Sequence, residues 1–169
     1  TPLSWEHWID RYTHAGYRVL APAWPGMEGT VEQLRANTAP YSHLGITEVV
    51  DHYATIIDEL DSPPIIMGHS FGGATALEFC RQDSRCKAAI DIDGIPFGRV
   101  VPEGLGRPGM FLLSDHSGEM AEPESRQVLA EIQSIYDRLP DGRLYVVIRR
   151  ANHFSFSDQI LLNSQAAFG

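Results

Sequence analysis

The chain has 169 residues, with 43% hydrophobic residues, 15 Gly and 11 Pro, an ordinary composition for one globular domain of roughly 100–200 residues. Folding at this size buries roughly 70% of the extended surface, which excludes disorder and a scaffold held by disulfides alone. Its 13 Lys and Arg against 22 Asp and Glu leave a net charge of −9, and no basic run exceeds Arg149-Arg150, so a nucleic-acid partner is disfavoured. No stretch approaches the ~18–20 apolar residues of a membrane helix, and the opening TPLSWEHWID lacks the charged and apolar regions of a signal peptide. A soluble protein is expected, either cytoplasmic or secreted after removal of a signal. The chain opens at Thr1 rather than Met, which leaves room for a segment removed upstream.

In chain order, Trp5, Trp8, Ile9 and Tyr12 recur at helical spacing, with Ser4 as a candidate N-cap and Gly16 as a helix stop. Tyr17–Ala21 (YRVLA) is a candidate strand, and the weakly patterned 24–45 reads as a loop. Ile46, Val49, Val50, Tyr53, Ile56, Ile57 and Leu60 predict a helix with Thr47 near its start. Ile65–Gly68 is a second strand, and Ala74, Ala76 and Leu77 mark a helix after it. Ala88–Asp93, Met110–Ser114 and Leu144–Ile148 are three more strands. A loop at 94–109 precedes the second of these, and a helix through Val128, Leu129, Ile132, Ile135, Tyr136 and Leu139 precedes the third. The alternation predicts an α/β domain over residues 1–169, with about five mostly parallel strands and helices on both faces. Cys80 and Cys86, six residues apart, fit either free thiols or one short-loop disulfide. A zinc site is disfavoured because no second Cys/His pair supports them.

Gly68-His69-Ser70-Phe71-Gly72 follows the apolar Ile65-Ile66-Met67 and opens a segment of small residues. This is G-x-S-x-G in a strand–turn–helix context. A serine on such a strained turn has its hydroxyl thrust outward, glycines two residues to either side remove clashing side chains, and Gly73 and Ala74 let the helix pack closely.

On these residues the chain resembles the α/β-hydrolase superfamily, of serine esterase or lipase type. THAGYRVLAPAWPG (Thr13–Gly26) and VDHYATIIDELDSPPIIMGHSFGG (Val50–Gly73) resemble ester and epoxide-type hydrolases with little or no lid. GHSFGGATALEFC, IDIDGIPFG (Ile90–Gly98) and NHFSFSD (Asn152–Asp158) are more similar to platelet-activating-factor acetylhydrolase-like bacterial esterases.

A serine hydroxyl near its free pKa is a weak nucleophile and needs a general base with a group to orient it. Of the seven histidines, His153 follows the last strand by a short loop, where the resemblance places the base. His69 reads as shaping the turn, and His7, His14, His43, His52 and His116 as helix-surface or loop residues. For the acid, Asp93 ends the strand AAIDID in the segment that resembles the acetylhydrolases. Asp115, just after MFLLS, is the alternative and holds the position more usual in the superfamily. Asp91 shares a face with Asp93 by period-two alternation and is expected to make a structural hydrogen bond deeper in the strand.

The resemblance implies an oxyanion hole with two donors, the first being the Phe71 amide. The second would come from a strand and loop that relatives carry just before the segment matching Thr1–Trp5. That strand would lie between Tyr17–Ala21 and the nucleophile strand. Its absence leaves three routes: Tyr17–Ala21 pairs directly with Ile65–Gly68, a second copy of the chain supplies the strand in a homo-oligomer, or the chain is part of a larger protein. With direct pairing, the 23–29 loop would offer a substitute donor.

The expected function is hydrolysis of a carboxylic ester without metal or cofactor. The 93–110 region is too short for a large lid, so the expected substrates are short-chain esters or extended lipid and polyester surfaces. Trp24, Met27, Phe71, Ile95 and Phe97 are candidate pocket walls. A catalytically impaired fragment or binding module stays open beside this reading, as do a cofactor-free perhydrolase and a peptidase using the same triad.

Overall fold

The computed structural model describes residues 2–119 and 121–157. The chain divides into two units, Thr1–Asp61 and Ser62–Gly169. The described part of the first is built of helices. After a 3₁₀ turn at Pro2–Trp5 comes α1 (Glu6–His14), along which Trp5, Trp8, Tyr12 and Tyr17 form a chain of ring contacts. It ends at Gly16, whose φ of 89° is the left-handed conformation that glycine permits at a helix terminus. Helix α2 (Val31–Ala36) starts at a capping box, with Thr30 Oγ1 accepting from Gln33 N at 3.3 Å and Gln33 Oε1 from Thr30 N at 2.8 Å. Helix α3 (Ile46–Asp58) starts at Gly45, whose amide donates to Glu48 Oε2 at 3.0 Å. The N-caps are therefore Trp5 and Gly45, and neither expected cap, Ser4 or Thr47, holds that position.

Tyr17–Ala21 forms no strand. A strand needs a neighbour to close its hydrogen-bond ladder, and the described residues of this unit offer none. Tyr17 and Leu20 are exposed. Among the described residues the sheet thus has four strands rather than about five, and its first strand is hydrogen-bonded to the second alone.

That sheet lies in the second unit. Strands β1 (Ile65–His69), β2 (Ala88–Ile92), β3 (Gly109–Leu113) and β4 (Leu144–Val147) are all parallel and stand in chain order. Crossovers that are all right-handed between strands in this order return on one face of the sheet. The crossover helices are α4 (Phe71–Gln82), α5 (Val100–Glu103) and α6 (Pro123–Asp137). Helix α4 packs on β1 and β2, α6 on β3, and α5 against both helices.

Among the described residues, every fully buried apolar side chain lies between Ala74 and Leu139. Leu77, Ala89, Val100, Phe111, Leu113, Ile132 and Ile135 form this core between sheet and helices. Helix α5 lies within the segment expected to be a loop. Its start is held from α4, where Glu78 Oε2 accepts the Val100 amide at 2.8 Å. Cys80 and Cys86 form a disulfide with a Cα–Cα distance of 5.0 Å, closing the turn between α4 and β2.

No helix among the described residues is long and apolar enough to cross a membrane.

Candidate active site

The parallel register places the carboxyl ends of the strands side by side, with His69 opposite Ile92 and Ile92 opposite Leu112. Ser70 follows β1 directly, with φ 59° and ψ −129°. This is the left-handed half of the map, costly for a residue with a Cβ, and here it is fixed by the surroundings. The Ser70 amide donates to Ile92 O at 2.8 Å, and Ser70 O accepts from Gly73 N at 3.0 Å.

The neighbouring glycines explain the tightness of the turn. A Cβ on Gly68 would overlap the Gly72 carbonyl and the Gly73 amide. A Cβ on Gly73 or Gly94 would strike Asp91 Oδ1. A Cβ on Gly72, expected to clash, would meet nothing within 4 Å among the described residues. The close approach is made at Gly68, Gly73 and Gly94.

Ser70 Oγ lies 3.0 Å from His153 Nε2, and His153 Nδ1 lies 2.9 Å from Asp93 Oδ2. His153 opens a 3₁₀ turn, His153–Phe156, capped by Asn152, whose Oδ1 accepts from Phe154 N at 3.0 Å. His69 grips the same loop, with its Nε2 3.0 Å from the His153 carbonyl oxygen and the two rings 4.7 Å apart between centroids. Burial pushes the His69 imidazole below its usual range, against the opposing effect of that carbonyl. Asp158, the last residue of the NHFSFSD segment, lies outside the described residues.

Asp93 follows β2 with φ 54°, and its side chain is 1% exposed. Its Oδ1 accepts from Ser114 N at 2.8 Å and faces His116 Nε2 at 2.9 Å. Its Oδ2 accepts from Ser114 Oγ at 2.8 Å besides facing His153. Burial alone would raise this carboxyl; the hydrogen bonds from Ser114, His153 and His116 outweigh it and hold the group below the usual carboxylate range. His116, read from sequence as a loop residue without a role, belongs to this cluster. It lies two residues beyond the strand expected at Met110–Ser114 and three beyond β3.

Asp115 serves the backbone instead. Its Oδ2 accepts from Arg150 N at 2.9 Å and its Oδ1 from Ser117 N at 3.2 Å. The Arg150 amide leads among the bonds that lower the Asp115 carboxyl to about 2. Asp115 thus braces the loop that carries His153. Asp91 is fully buried beside the elbow and accepts from Gly94 N at 2.9 Å. Burial, with Asp93 nearby, raises its carboxyl to about 7.

The Phe71 amide is the first of α4, so it has no partner within the helix and sits at the positive end of the helix dipole. Phe71 is 69% exposed, and its ring stacks on Phe97, with centroids 5.3 Å apart. Ile95, on the same loop as Phe97, is also exposed. Trp24 and Met27 belong to the first unit, where Met27 N donates to Trp24 O at 2.9 Å across a turn with Gly26 at φ 77°. Among the described residues, no group of three or more His, Cys, Asp or Glu is placed to hold a metal ion.

A parallel sheet whose strand ends present a serine on a sharp turn, a histidine and a buried aspartate is the arrangement of a hydrolase fold. The sequence pattern of the alpha/beta hydrolase family matches residues 1–158, and the chain belongs to that family. Among solved structures it is similar to a ferulic acid esterase from Streptomyces cinnamoneus, at 26% identity and a TM-score of 0.53. The match covers 88% of this chain and 44% of that one, so the chain spans less than half the length of this relative. A comparison with curated proteins gives no match.

Proposed function

We propose that the chain hydrolyses carboxylic esters through an acyl-enzyme, with Ser70 as nucleophile, His153 as general base and Asp93 as the acid that orients it. The observation that carries this reading is the continuous hydrogen-bonded line from Ser70 Oγ through His153 to Asp93 Oδ2. Ser70 Oγ attacks the ester carbonyl carbon as its proton passes to His153 Nε2. Asp93 keeps Nδ1 protonated and steadies the imidazolium. The oxygen of the tetrahedral intermediate takes the negative charge beside the Phe71 amide. Collapse expels the alcohol, which leaves with the proton from His153. Water then repeats the sequence on the acyl-enzyme, releasing the acid and restoring Ser70.

No metal or cofactor enters the steps of this proposal. Exposed Phe71, Phe97 and Ile95 suit the apolar part of a short-chain ester or of an extended lipid or polyester surface. The acetylhydrolase-like text around Asp93 and His153 supports the same assignment.

The test is turnover of p-nitrophenyl esters by the purified chain against Ser70→Ala. A burst of p-nitrophenol that depends on Ser70 is expected. Equal rates for the two proteins reject the proposal.

A further inference from the structure

We infer that His116 is a positioning residue for the reaction proposed above, fixing Asp93 from the side opposite His153. The inference rests on that reading of Ser70, His153 and Asp93. A carboxylate offers about four lone-pair sites, and here each oxygen has two partners: Ser114 N and His116 on Oδ1, Ser114 Oγ and His153 on Oδ2. With its side chain 1% exposed, Asp93 has almost no access to water that would replace a lost donor.

The carboxylate only accepts, so the His116 nitrogen facing it at 2.9 Å carries the hydrogen. The same Nε2 lies 3.2 Å from Ser114 Oγ, which itself donates to Asp93 Oδ2. His116 and Ser114 therefore bracket both oxygens and set the rotation of the carboxylate about its own axis. That rotation determines whether Oδ2 lies in line with His153 Nδ1.

The two imidazoles meet Asp93 through different nitrogens. His153 uses Nδ1 and keeps Nε2 for Ser70, whereas His116 uses Nε2. His116 thus acts on Ser70 through Asp93 and His153. Removing it leaves Oδ1 with the Ser114 amide alone, free to swing Oδ2 away from His153 or to take up a proton.

The experiment measures kcat and KM on a p-nitrophenyl ester for the full chain and for Ser70→Ala, His116→Ala, His116→Asn and His116→Gln, with thermal unfolding of each. Loss of the group that orients a metal-binding histidine typically costs about 10- to 100-fold, and a loss of the same order is expected for the group that orients Asp93. His116→Ala and His116→Asn are expected to lower kcat by that amount with KM nearly unchanged. The Gln amide nitrogen reaches nearly as far as Nε2, so His116→Gln is expected to recover most of the loss.

A kcat unchanged in His116→Ala while Ser70→Ala is inactive overturns the inference and leaves the proposed function standing. So does a change in KM alone, or a folded His116→Gln as impaired as His116→Asn. Turnover independent of Ser70 overturns both. If His116→Ala does not fold, the Gln and Asn pair decides the matter by the same criterion.

Discussion

The carboxyl of Asp91 is raised from 3.8 to about 7, first by burial and then by the charge of Asp93. In the unfolded chain it titrates near its ordinary value. Between about pH 4 and about pH 7 the folded protein therefore keeps a proton that the unfolded chain has released, and stability falls as pH rises through this window. Three units at ~1.4 kcal/mol each make the loss about 4 kcal/mol, complete above the folded-state value. Asp91→Asn removes the titration and keeps the shape. Its Oδ1 still accepts the Gly94 amide, and its amide nitrogen takes the place of Oδ2, which is buried with no hydrogen-bond partner among the described residues. That unmet donor costs about 1–3 kcal/mol at every pH, which sets the offset between the two proteins and not its slope. The assay is guanidinium unfolding of both proteins, disulfide intact, from about pH 4 to about pH 8. Carboxylates lowered by folding, such as Glu78 and Asp83, act in the opposite sense but are present in both proteins and cancel. Asp91→Asn should gain on the wild type by about 4 kcal/mol across the window and then run parallel to it. Parallel curves throughout would refute the reasoning.

Asp93→Asn should lower kcat on p-nitrophenyl esters by about 10⁴-fold, the cost of losing the orienting acid in serine triads. Asp115→Ala should lower kcat far less and instead lower the melting temperature, since it frees the Arg150 and Ser117 amides; the reverse order of the two kcat losses would move the acid to Asp115. Replacing Cys80 and Cys86 together by Ala opens a short loop and should cost about 2 kcal/mol in chemical unfolding, with kcat preserved; no change in stability would show that the bridge is not formed in solution. Phe97→Ala removes the ring stacked on Phe71 and should raise KM for an apolar acyl ester about 5- to 10-fold at constant kcat; an unchanged KM would remove Phe97 from the pocket. Arg150→Val, a β-branched residue at φ 66°, should destabilise relative to Arg150→Gly by about 1–2 kcal/mol and lower kcat by displacing His153; equal melting and equal kcat would refute a role for that turn.

The four strands were legible because each is a short apolar run bounded by turn residues, a pattern that survives any tertiary context. Tyr17–Ala21 shows the limit of that signal. YRVLA is locally as strand-like as LYVV, but extended backbone becomes a strand only where a neighbour completes the ladder, and no local pattern encodes that neighbour. The two short helices failed for different reasons. Thr30-Val31-Glu32-Gln33 carries a readable capping box, whereas α5 starts where it does because Glu78, on another helix, accepts the Val100 amide. The candidate site divides similarly. Ser70 stands out through the spacing of its glycines, and His153 through its place after the last strand. Asp93 and Asp115 are alike by position, one residue beyond β2 and two beyond β3, and their hydrogen bonds separate them: Asp93 faces two imidazoles besides Ser114, whereas Asp115 accepts from backbone amides. His116 was missed because its significance lies wholly in a contact 23 residues back in sequence.

The positive-φ residues other than glycine are, among the described residues, Ser70, Asp93 and Arg150, and all three lie on loops that leave the carboxyl ends of strands. Each such conformation costs of order 1–3 kcal/mol, so their gathering at one place calls for a common cause. Continuing straight, β1 and β2 would carry Ser70 and Asp93 onward along the sheet. The left-handed turn at each lifts the side chain out of the strand direction within a single residue, while its amide still pairs with the neighbouring strand: Ser70 N with Ile92 O, Asp93 N with Leu112 O. Arg150 makes the equivalent reversal after β4, with its amide held by Asp115, and brings His153 back over the strand ends. The sheet therefore absorbs the strain through hydrogen bonds that any parallel neighbour supplies, and the side chains that converge above it are free to be chosen for chemistry. This is why the four-stranded unit, short as it is, holds the whole line from Ser70 to His116 without drawing a residue from the first 61 positions.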